Sequence, residues 1–264
     1  MYSSVTLTFK YLKYLLTADN GKGHGVHSPF VFSFIEKVLQ NKSHPAYFKE
    51  IEWYRNALRQ NDQKIEVWDG GAGSRKNGAT TRKVSDIAKT ALKPFKYAKL
   101  LHDIVSYFKP HTLIELGTSL GVTTSYLSKA GANQIYTLEG ATTIAAIARK
   151  HFESESLQHV TIIEGDFNNT LPALLQQIDS WDVAYIDGNH QYTPTLQYFN
   201  SLLACAHNQS CFIFDDIHWS REMEQAWEEI KKHPKVTLTI DLFFIGLVFI
   251  RDENKIPMHY TIRY

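Results

Sequence analysis

Short apolar runs alternate with segments of helical periodicity between residues 110 and 232, and this alternation constrains the fold more than any other feature. Five β-like runs are each followed by a helical segment: TLIEL (112–116), QIYTLE (134–139), VTIIEG (160–165), WDVAYID (181–187) and CFIFDD (211–216). Val, Ile, Leu, Phe and Tyr are the commonest residues in these runs, which is typical of parallel strands covered on both faces. The pattern predicts a doubly wound α/β sheet with five parallel strands.

The two ends of the chain depart from this alternation. KVTLTIDL (235–242) and FFIGLVFIRD (243–252) follow each other directly, so no crossover helix fits between them and an antiparallel β-hairpin is expected to close the sheet. Before residue 110 the pattern is mostly helical. Ser28-Pro29 is a typical helix start, because serine caps a helix and proline suits its first position. We expect further helices over 47–60, 79–92 and 94–108, and we divide the chain into a helical N-terminal extension (1–109) and a sheet domain (110–264).

Composition narrows the class of protein. With 44% apolar and 21% charged residues, the 264-residue chain is typical of a soluble globular protein, and a net charge of +1 gives no reason to expect a nucleic-acid or membrane partner. Cys205 and Cys211 lack metal-type spacing and are expected to be reduced. No signal-peptide core is visible at the N-terminus. The cytoplasm is therefore the expected location, and the sequence does not decide between a monomer and a homodimer.

Two glycine-rich stretches could form a cofactor turn: EVWDGGAGSR (66–75) and LIELGTSLGVTT (113–124). A nucleoside-binding turn lies between a strand and a helix, and an acidic residue ends the next strand about 20 residues later. The second stretch meets both conditions, because Glu139 ends the next strand 24 positions after Glu115. After the first stretch, no strand ends in an acid before Glu115. The sequence thus assigns the cofactor turn to residues 115–121.

The spacing of this turn, E-x-G-x-x-x-G, is not the phosphate fingerprint G-x-G-x-x-G, so a cofactor with a nucleoside and a zwitterion fits better than a dinucleotide. ELGTSLG, LEG, EGDF, DVAYIDGNH and FIFDDI occur in this order before the hairpin. Over residues 110–264 they resemble the motifs of the class I S-adenosylmethionine (SAM)-dependent methyltransferases. The resemblance implies a Rossmann-like methyltransferase sheet and SAM as cofactor.

The resemblance also implies roles for single residues. The turn that passes the methionine part of SAM would consist of Glu115, Gly117, Thr118, Ser119 and Gly121. Glu139, followed by Gly140, would hold the ribose hydroxyls, and Asp166 with Phe167 would lie at the adenine. For Asp166, a helix N-cap is the competing interpretation.

Acidic residues follow the fourth and fifth strands, where ligands bind in such sheets: Asp187, and Asp215 with Asp216. Neighbouring carboxylates repel one another unless a cation or a hydrogen-bond donor lies between them, and oxygen ligands suit Mg²⁺ or another divalent cation. The arrangement resembles the catechol and caffeoyl-CoA O-methyltransferases, whose metal ligands are an aspartate after strand four and an Asp-Asn pair after strand five. Where those enzymes carry a lysine base, three residues after the first aspartate, this chain has His190. The resemblance implies metal-assisted transfer with His190 as general base and Asp187 at the reacting hydroxyl. The competing interpretation is that Asp187 and Asp215 only line the cofactor cleft, with Asp187 as a cofactor contact and His190 as a surface loop residue.

Four further residues are candidate acceptor contacts: Arg75, His27, His218 and Trp219. The N-terminal part, with HGVHSPFVF and DGGAGSR, resembles an uncharacterised branch of these methyltransferases common in Bacteroidetes. Segments before the first strand often form a lid in this superfamily, so we predict that the loop 70–75 closes over the acceptor. A plain surface turn and a core histidine are equally compatible with the pattern.

The function predicted from the sequence is SAM-dependent methylation of a hydroxyl on a small molecule. Two alternatives keep the cofactor: a metal-independent N- or carboxyl-methyltransferase, and a SAM-binding protein without turnover. A nicotinamide dehydrogenase would need the missing glycine fingerprint. The N-methyltransferases that act on nucleic-acid bases carry an [N/D]-P-P-[Y/F] signature after strand four, where this chain has IDGNHQY.

Overall fold

A computed structural model of the chain describes residues 1–19, 21, 23, 26–67 and 80–264. Within these residues the α-helices are α1 (Ser4–Thr17), α2 (Pro29–Phe34), α3 (Tyr47–Gln60), α4 (Val84–Ala91), α5 (Phe95–Phe108), α6 (Val122–Lys129), α7 (Thr142–Ser154), α8 (Phe167–Leu175), α9 (Tyr192–Leu203) and α10 (Arg221–Lys231). A π-helical turn, Ile35–Leu39, continues α2. The strands are β1 (Lys64–Val67), β2 (Thr80–Lys83), β3 (Thr112–Leu116), β4 (Gln134–Glu139), β5 (Val160–Glu164), β6 (Trp181–Ile186), β7 (Ala206–Asp215), β8 (Leu238–Asp241), β9 (Ile245–Phe249) and β10 (Met258–Thr261).

The chain divides into two compact units. The central unit comprises residues 42–177, and the terminal unit combines residues 1–41 with residues 178–264. The functional division at residue 109 that the sequence suggests stays a prediction.

The central unit contains the strands β3, β4 and β5 in this order, and each pairs with the next in parallel. Their burial follows from the apolar runs in the sequence, since Leu113, Ile114 and Leu116 are all fully buried. Helices α3 and α4 contribute apolar side chains to a core that also includes Tyr126 of α6. This arrangement confirms the predicted alternation of strands and helices.

One predicted helix of the central unit is partly wrong. Instead of a helix over 79–92, β2 pairs antiparallel with β1, and the helix α4 begins only at Val84. The β-branched Thr80 and Thr81 lie opposite Val67 and Glu66, so pairing with a distant strand decides the conformation of this segment. The loop 70–75, which includes Arg75, lies outside the described residues.

The terminal unit contains strands in the order β10, β8, β9, β7 and β6. β6 and β7 are parallel, while β9 is antiparallel to both β7 and β8. The predicted terminal hairpin is therefore confirmed. β10, which pairs in parallel with β8, is an additional strand that the sequence analysis did not identify.

Serine side chains cap helices of the terminal unit. Ser28 and Ser220 cap α2 and α10, each accepting a hydrogen bond from the backbone N–H three residues later. α9 begins at Tyr192, so the pair Thr193-Pro194 lies inside the helix and Thr193 is not its cap. Pro194 then lies in the first helical turn, where a missing N–H loses no intrahelical hydrogen bond.

The two cysteines are free thiols, Cys211 buried and Cys205 half-buried. Among the helices that the structure describes, none combines the length and the apolar composition needed to cross a bilayer.

Candidate functional site

The turn between β3 and α6 adopts backbone conformations that favour glycine. Gly117 and Gly121 adopt φ values of 108° and 80°, and Ser119 between them is at 48°. The backbone N–H groups of Gly117 and Thr118 both donate to the carbonyl of Leu138, at 3.0 and 3.1 Å. The turn is thereby fixed against the end of the neighbouring strand β4.

Gly121 is required for a second reason. A Cβ at this position would lie 2.8 Å from Cε1 of Phe152 and 3.2 Å from Cβ of Ala148, both on α7. The turn and α7 can approach this closely only because residue 121 has no side chain.

Glu139 ends β4 and lies beside this turn, as the spacing predicts. Its Oε2 accepts a hydrogen bond from the backbone N–H of Ser119 at 2.8 Å, and its Oε1 accepts one from Ala141 at 2.9 Å. The carboxylate is half-buried and is oriented by two backbone donors. A carboxylate has further lone pairs, so this group can also accept hydrogen bonds from the hydroxyls of a ligand.

Glu115 is completely buried and serves as the acceptor of a hydroxyl network. Its Oε2 accepts from Thr124 Oγ1 at 2.6 Å and from Thr137 Oγ1 at 2.7 Å. Because Thr137 donates its hydrogen to Glu115, Thr118 must donate in the 2.6 Å contact between Thr118 Oγ1 and Thr137 Oγ1. The network connects β3, β4, the turn and α6, which gives Glu115 a structural role in addition to the predicted one.

Asp166 and Phe167 follow the end of β5. Gly165 has a φ of 132°, and its N–H donates to the carbonyl of Glu139 at 3.0 Å, so this strand end also lies next to β4. Gly140 is exposed, and a Cβ at this position would lie 4.0 Å from the carbonyl oxygen of Gly165. Asp166 is exposed and caps α8 by accepting from Asn168 N–H at 2.8 Å. The capping interpretation is thus confirmed, while the contact to adenine stays a prediction.

Tyr54 and His151 support the turn from the side, and sequence reasoning missed both. The Tyr54 hydroxyl donates to the carbonyl of Leu120 at 2.9 Å, and its ring stacks on His151 with centroids 3.5 Å apart. Burial raises the pKa of the Tyr54 hydroxyl. Burial, with a contribution from the charge of Lys129, lowers the pKa of His151 to about 4. No local sequence pattern predicts this contact, because Tyr54 and His151 come from helices about a hundred positions apart.

The tautomer of His151 follows from its neighbours. Ser125 Oγ donates its single hydrogen to the carbonyl of Gly121 at 2.8 Å. The 3.1 Å contact between Ser125 Oγ and His151 Nε2 must therefore use a hydrogen on Nε2. His151 is neutral near pH 7 and helps to hold the first turn of α6.

In the terminal unit, Asp187, His190 and Asp215 form a group whose ligand atoms all lie within 4.8 Å of one another. Asp187 follows β6 and Asp215 ends β7, and these parallel strands pair Ile186 with Phe214, so the two aspartates stand at the same level. Tyr185 donates to Asp187 Oδ2 at 2.8 Å, while His190 Nε2 lies 3.3 Å from Asp187 Oδ1. The side chains of Asp187 and His190 are 16% and 28% exposed, and Asp215 is 1% exposed.

The structure thus brings together two of the three predicted ligands and adds His190 to them. Asp216, the third predicted ligand, is not a member of this group; its φ is 54° and its carbonyl accepts from Trp219 N–H at 2.9 Å. The sequence assigned His190 to proton transfer, and it did not predict a ligand role.

The other predicted acceptor contacts have varied environments. His218 contacts Glu224 through Nδ1 at 3.1 Å and Asp241 through Nε2 at 2.7 Å. Burial opposes the charged imidazole, but the two carboxylates outweigh it and raise the pKa of His218. Trp219 is half-buried, and His27 is exposed directly before the cap of α2. A role of these residues, or of Arg75, in acceptor binding stays a prediction.

Comparison with known proteins finds that part of the chain is similar to methyltransferases. A family model described as a methyltransferase domain matches residues 114–217, which include the cofactor turn, Glu139, Asp187 and Asp215. A curated relative, a protein-L-isoaspartate O-methyltransferase from Chromobacterium violaceum, is 30% identical over 84 residues. That match covers 32% of this chain and 37% of the relative, so the chain matches about a third of the relative's length.

Solved structures share the fold over much greater lengths. An O-methyltransferase from Bacillus cereus, solved in complex with SAH (S-adenosylhomocysteine), superposes with a TM-score of 0.56 at 17% identity, over 83% of this chain and 97% of that protein. A Staphylococcus aureus protein assigned as a caffeoyl-CoA O-methyltransferase gives a TM-score of 0.55 at 15% identity, over 63% and 88%. At this identity the likeness establishes the fold, a mainly parallel α/β sheet of the Rossmann-like methyltransferase type.

Proposed function

We propose that the protein transfers a methyl group from SAM to a hydroxyl of a small molecule. The proposal is supported by the methyltransferase family model that matches residues 114–217 and by the class I methyltransferase fold of the chain. The observation that carries this proposal is the cofactor turn. Its positive-φ glycines stand at the end of β3, and Glu139 lies beside them at the end of β4.

The cofactor part rests on the chemistry of the central unit. Glu139 has its two oxygens directed by Ser119 and Ala141, which suits a carboxylate that accepts both hydroxyls of a ribose. The turn offers a backbone without bulky side chains to the methionine part. Asp166 and Phe167 follow the end of β5. They would offer the adenine a hydrogen-bond acceptor and an aromatic ring.

The acceptor part rests on the terminal unit. Two carboxylates and an imidazole with ligand atoms within 4.8 Å fit a divalent cation. Asp187 and Asp215 would hold Mg²⁺ or another such cation, which when bound would lower the pKa of the acceptor hydroxyl. Asp187 is oriented by Tyr185, so its position is preorganised for a ligand.

A second candidate is methylation of a carboxylate oxygen. The observation that favours it is the curated relative, whose name specifies an acceptor in a protein L-isoaspartate. A methyl ester differs from a methyl ether in its stability to alkali, and this difference makes the two candidates separable.

The experiment incubates the protein with SAM labelled in its methyl group and with a panel of catechols, phenols, primary amines and isoaspartyl peptides. Transfer to a hydroxyl predicts an alkali-stable product from the catechols or phenols. The variant Asp187→Ala should lose most of this transfer, whereas Asp182→Ala, at the start of the same strand, should keep it. An alkali-labile product from the peptides would establish the second candidate, and a labelled amine would contradict both.

A further inference from the structure

His190 stands where it can act as a ligand. Its Nε2 lies 3.3 Å from Asp187 Oδ1, and the group formed with Asp215 spans no more than 4.8 Å between ligand atoms. Neighbouring ligands of an octahedral ion with bonds of about 2.1 Å lie about 3.0 Å apart, and opposite ones about 4.2 Å. The three side chains therefore need only small adjustments to share one ion.

Charge favours an ion at this position. Asp215 is 1% exposed, and Asp187 lies in the same compact group, so two carboxylates approach each other where water is largely excluded. Positive charge nearby stabilises such a pair. A divalent cation supplies twice the charge of a protonated imidazole and contacts both carboxylates at once.

The nitrogen ligand determines which cation fits best. Mg²⁺ and Ca²⁺ prefer oxygen ligands throughout, whereas imidazole suits the divalent ions of the first transition series. A set of two carboxylates and one imidazole is therefore biased towards Mn²⁺, Fe²⁺, Co²⁺ or Zn²⁺.

We propose that Asp187, His190 and Asp215 bind a divalent transition-metal ion, with His190 as a direct nitrogen ligand, in preference to Mg²⁺. For the role of the ion in methyl transfer, this proposal rests on the proposed function. Binding of the ion to the protein needs neither SAM nor an acceptor. It assigns His190 to the metal instead of to proton abstraction.

The test is calorimetry of the full chain with Mn²⁺ and with Mg²⁺, in the absence of SAM. The wild type should bind one Mn²⁺ at least about tenfold more tightly than Mg²⁺. His190→Ala should weaken Mn²⁺ binding at least about tenfold and leave Mg²⁺ binding within about twofold. His190→Asp, which replaces nitrogen with oxygen, should remove the preference for Mn²⁺.

His207→Ala is the matched control. His207 Nε2 lies 3.1 Å from Asp182 Oδ1, so it is also a histidine–aspartate pair of the terminal unit, but it lies outside the metal group. This variant should bind Mn²⁺ like the wild type. Far-UV circular dichroism checks that each variant is folded.

A spectroscopic measurement on the wild type does not depend on the variants. Electron spin echo envelope modulation of bound Mn²⁺ should contain the nitrogen coupling of one coordinated imidazole, and His190→Ala should lack it. Three results would each overturn the proposal: equal Mn²⁺ affinity in wild type and His190→Ala, absence of the nitrogen coupling, or tighter binding of Mg²⁺ than of Mn²⁺ by the wild type. Equal Mn²⁺ affinity would also leave His190 with the predicted role of a base. Failure of SAM binding would instead contradict the proposed function and leave this result untouched.

Discussion

His151 makes the stability of the cofactor turn sensitive to acid. Its pKa in the folded protein is about 4, against an ordinary value of 6.5, because the ring is buried against Tyr54 and lies near the charge of Lys129. The neutral imidazole already carries a hydrogen on Nε2, so protonation adds one to Nδ1. The unfolded chain takes up this proton at a higher pH than the folded chain does. Stability is therefore complete above the unfolded pKa and is lost as the pH falls from about 6.5 towards 4.

The magnitude follows from the two pKa values. Between pH 7.5 and pH 5, the unfolded state gains about 2 kcal/mol relative to the folded state from this group alone. The perturbation that isolates it is His151→Phe, which retains a ring against Tyr54 but cannot be protonated. Other groups titrate in the same interval, so the quantity to compare is the change in free energy of unfolding in each protein.

The assay is urea denaturation at pH 7.5 and pH 5, followed by circular dichroism. The wild type should lose about 2 kcal/mol more than His151→Phe between the two pH values. Equal losses in both proteins would mean that His151 binds protons equally well in the folded and unfolded states, which would contradict the lowered pKa.

Two further substitutions test the geometry of the central unit. Gly121→Ala should destabilise the protein by about 1–3 kcal/mol more than the control Gly131→Ala. Both positions have a positive φ, but only a Cβ at residue 121 would overlap Phe152. Equal losses of stability in chemical denaturation would show that this overlap does not matter. Thr137→Val keeps the side-chain shape but removes a hydrogen-bond donor to the buried Glu115. It should lower the free energy of unfolding by about 2 kcal/mol. An unchanged free energy of unfolding would show that the hydroxyl network does not stabilise the fold.

The sequence predicted those parts of the fold that depend on local patterns. The five apolar runs and the terminal pair of runs correspond to β3–β7 and to the β8–β9 hairpin, because buried parallel strands need continuous apolar residues. The distance of 24 positions between Glu115 and Glu139 predicted that Glu139 lies beside the turn at residues 115–121, since the spacing is set by the length of one strand–helix–strand unit. Cofactor binding at this turn stays a prediction.

Features that depend on long-range contacts could not be read in this way. The pairing of β2 with β1 overrides a helical pattern, and β10 is a strand only because β8 offers it an edge. The stacking of Tyr54 on His151 joins two helices that carry no common motif. The sequence identified His190 as chemically important, but only the structure brings its ring nitrogen into a group with Asp187 and Asp215.

Calorimetry with SAH measures whether the turn at residues 115–121 and Glu139 bind a SAM-type cofactor. The wild type should bind SAH, and Glu139→Gln should bind it about ten- to a hundredfold more weakly, because the variant loses charge-assisted hydrogen bonds to the ribose. Glu164→Gln is the matched control, since Glu164 lies opposite Glu139 at the end of β5 but pairs with Arg149. This control should bind SAH with the affinity of the wild type. Absence of SAH and SAM binding in the wild type, or equal affinity in Glu139→Gln, would show that the turn and Glu139 do not bind such a cofactor.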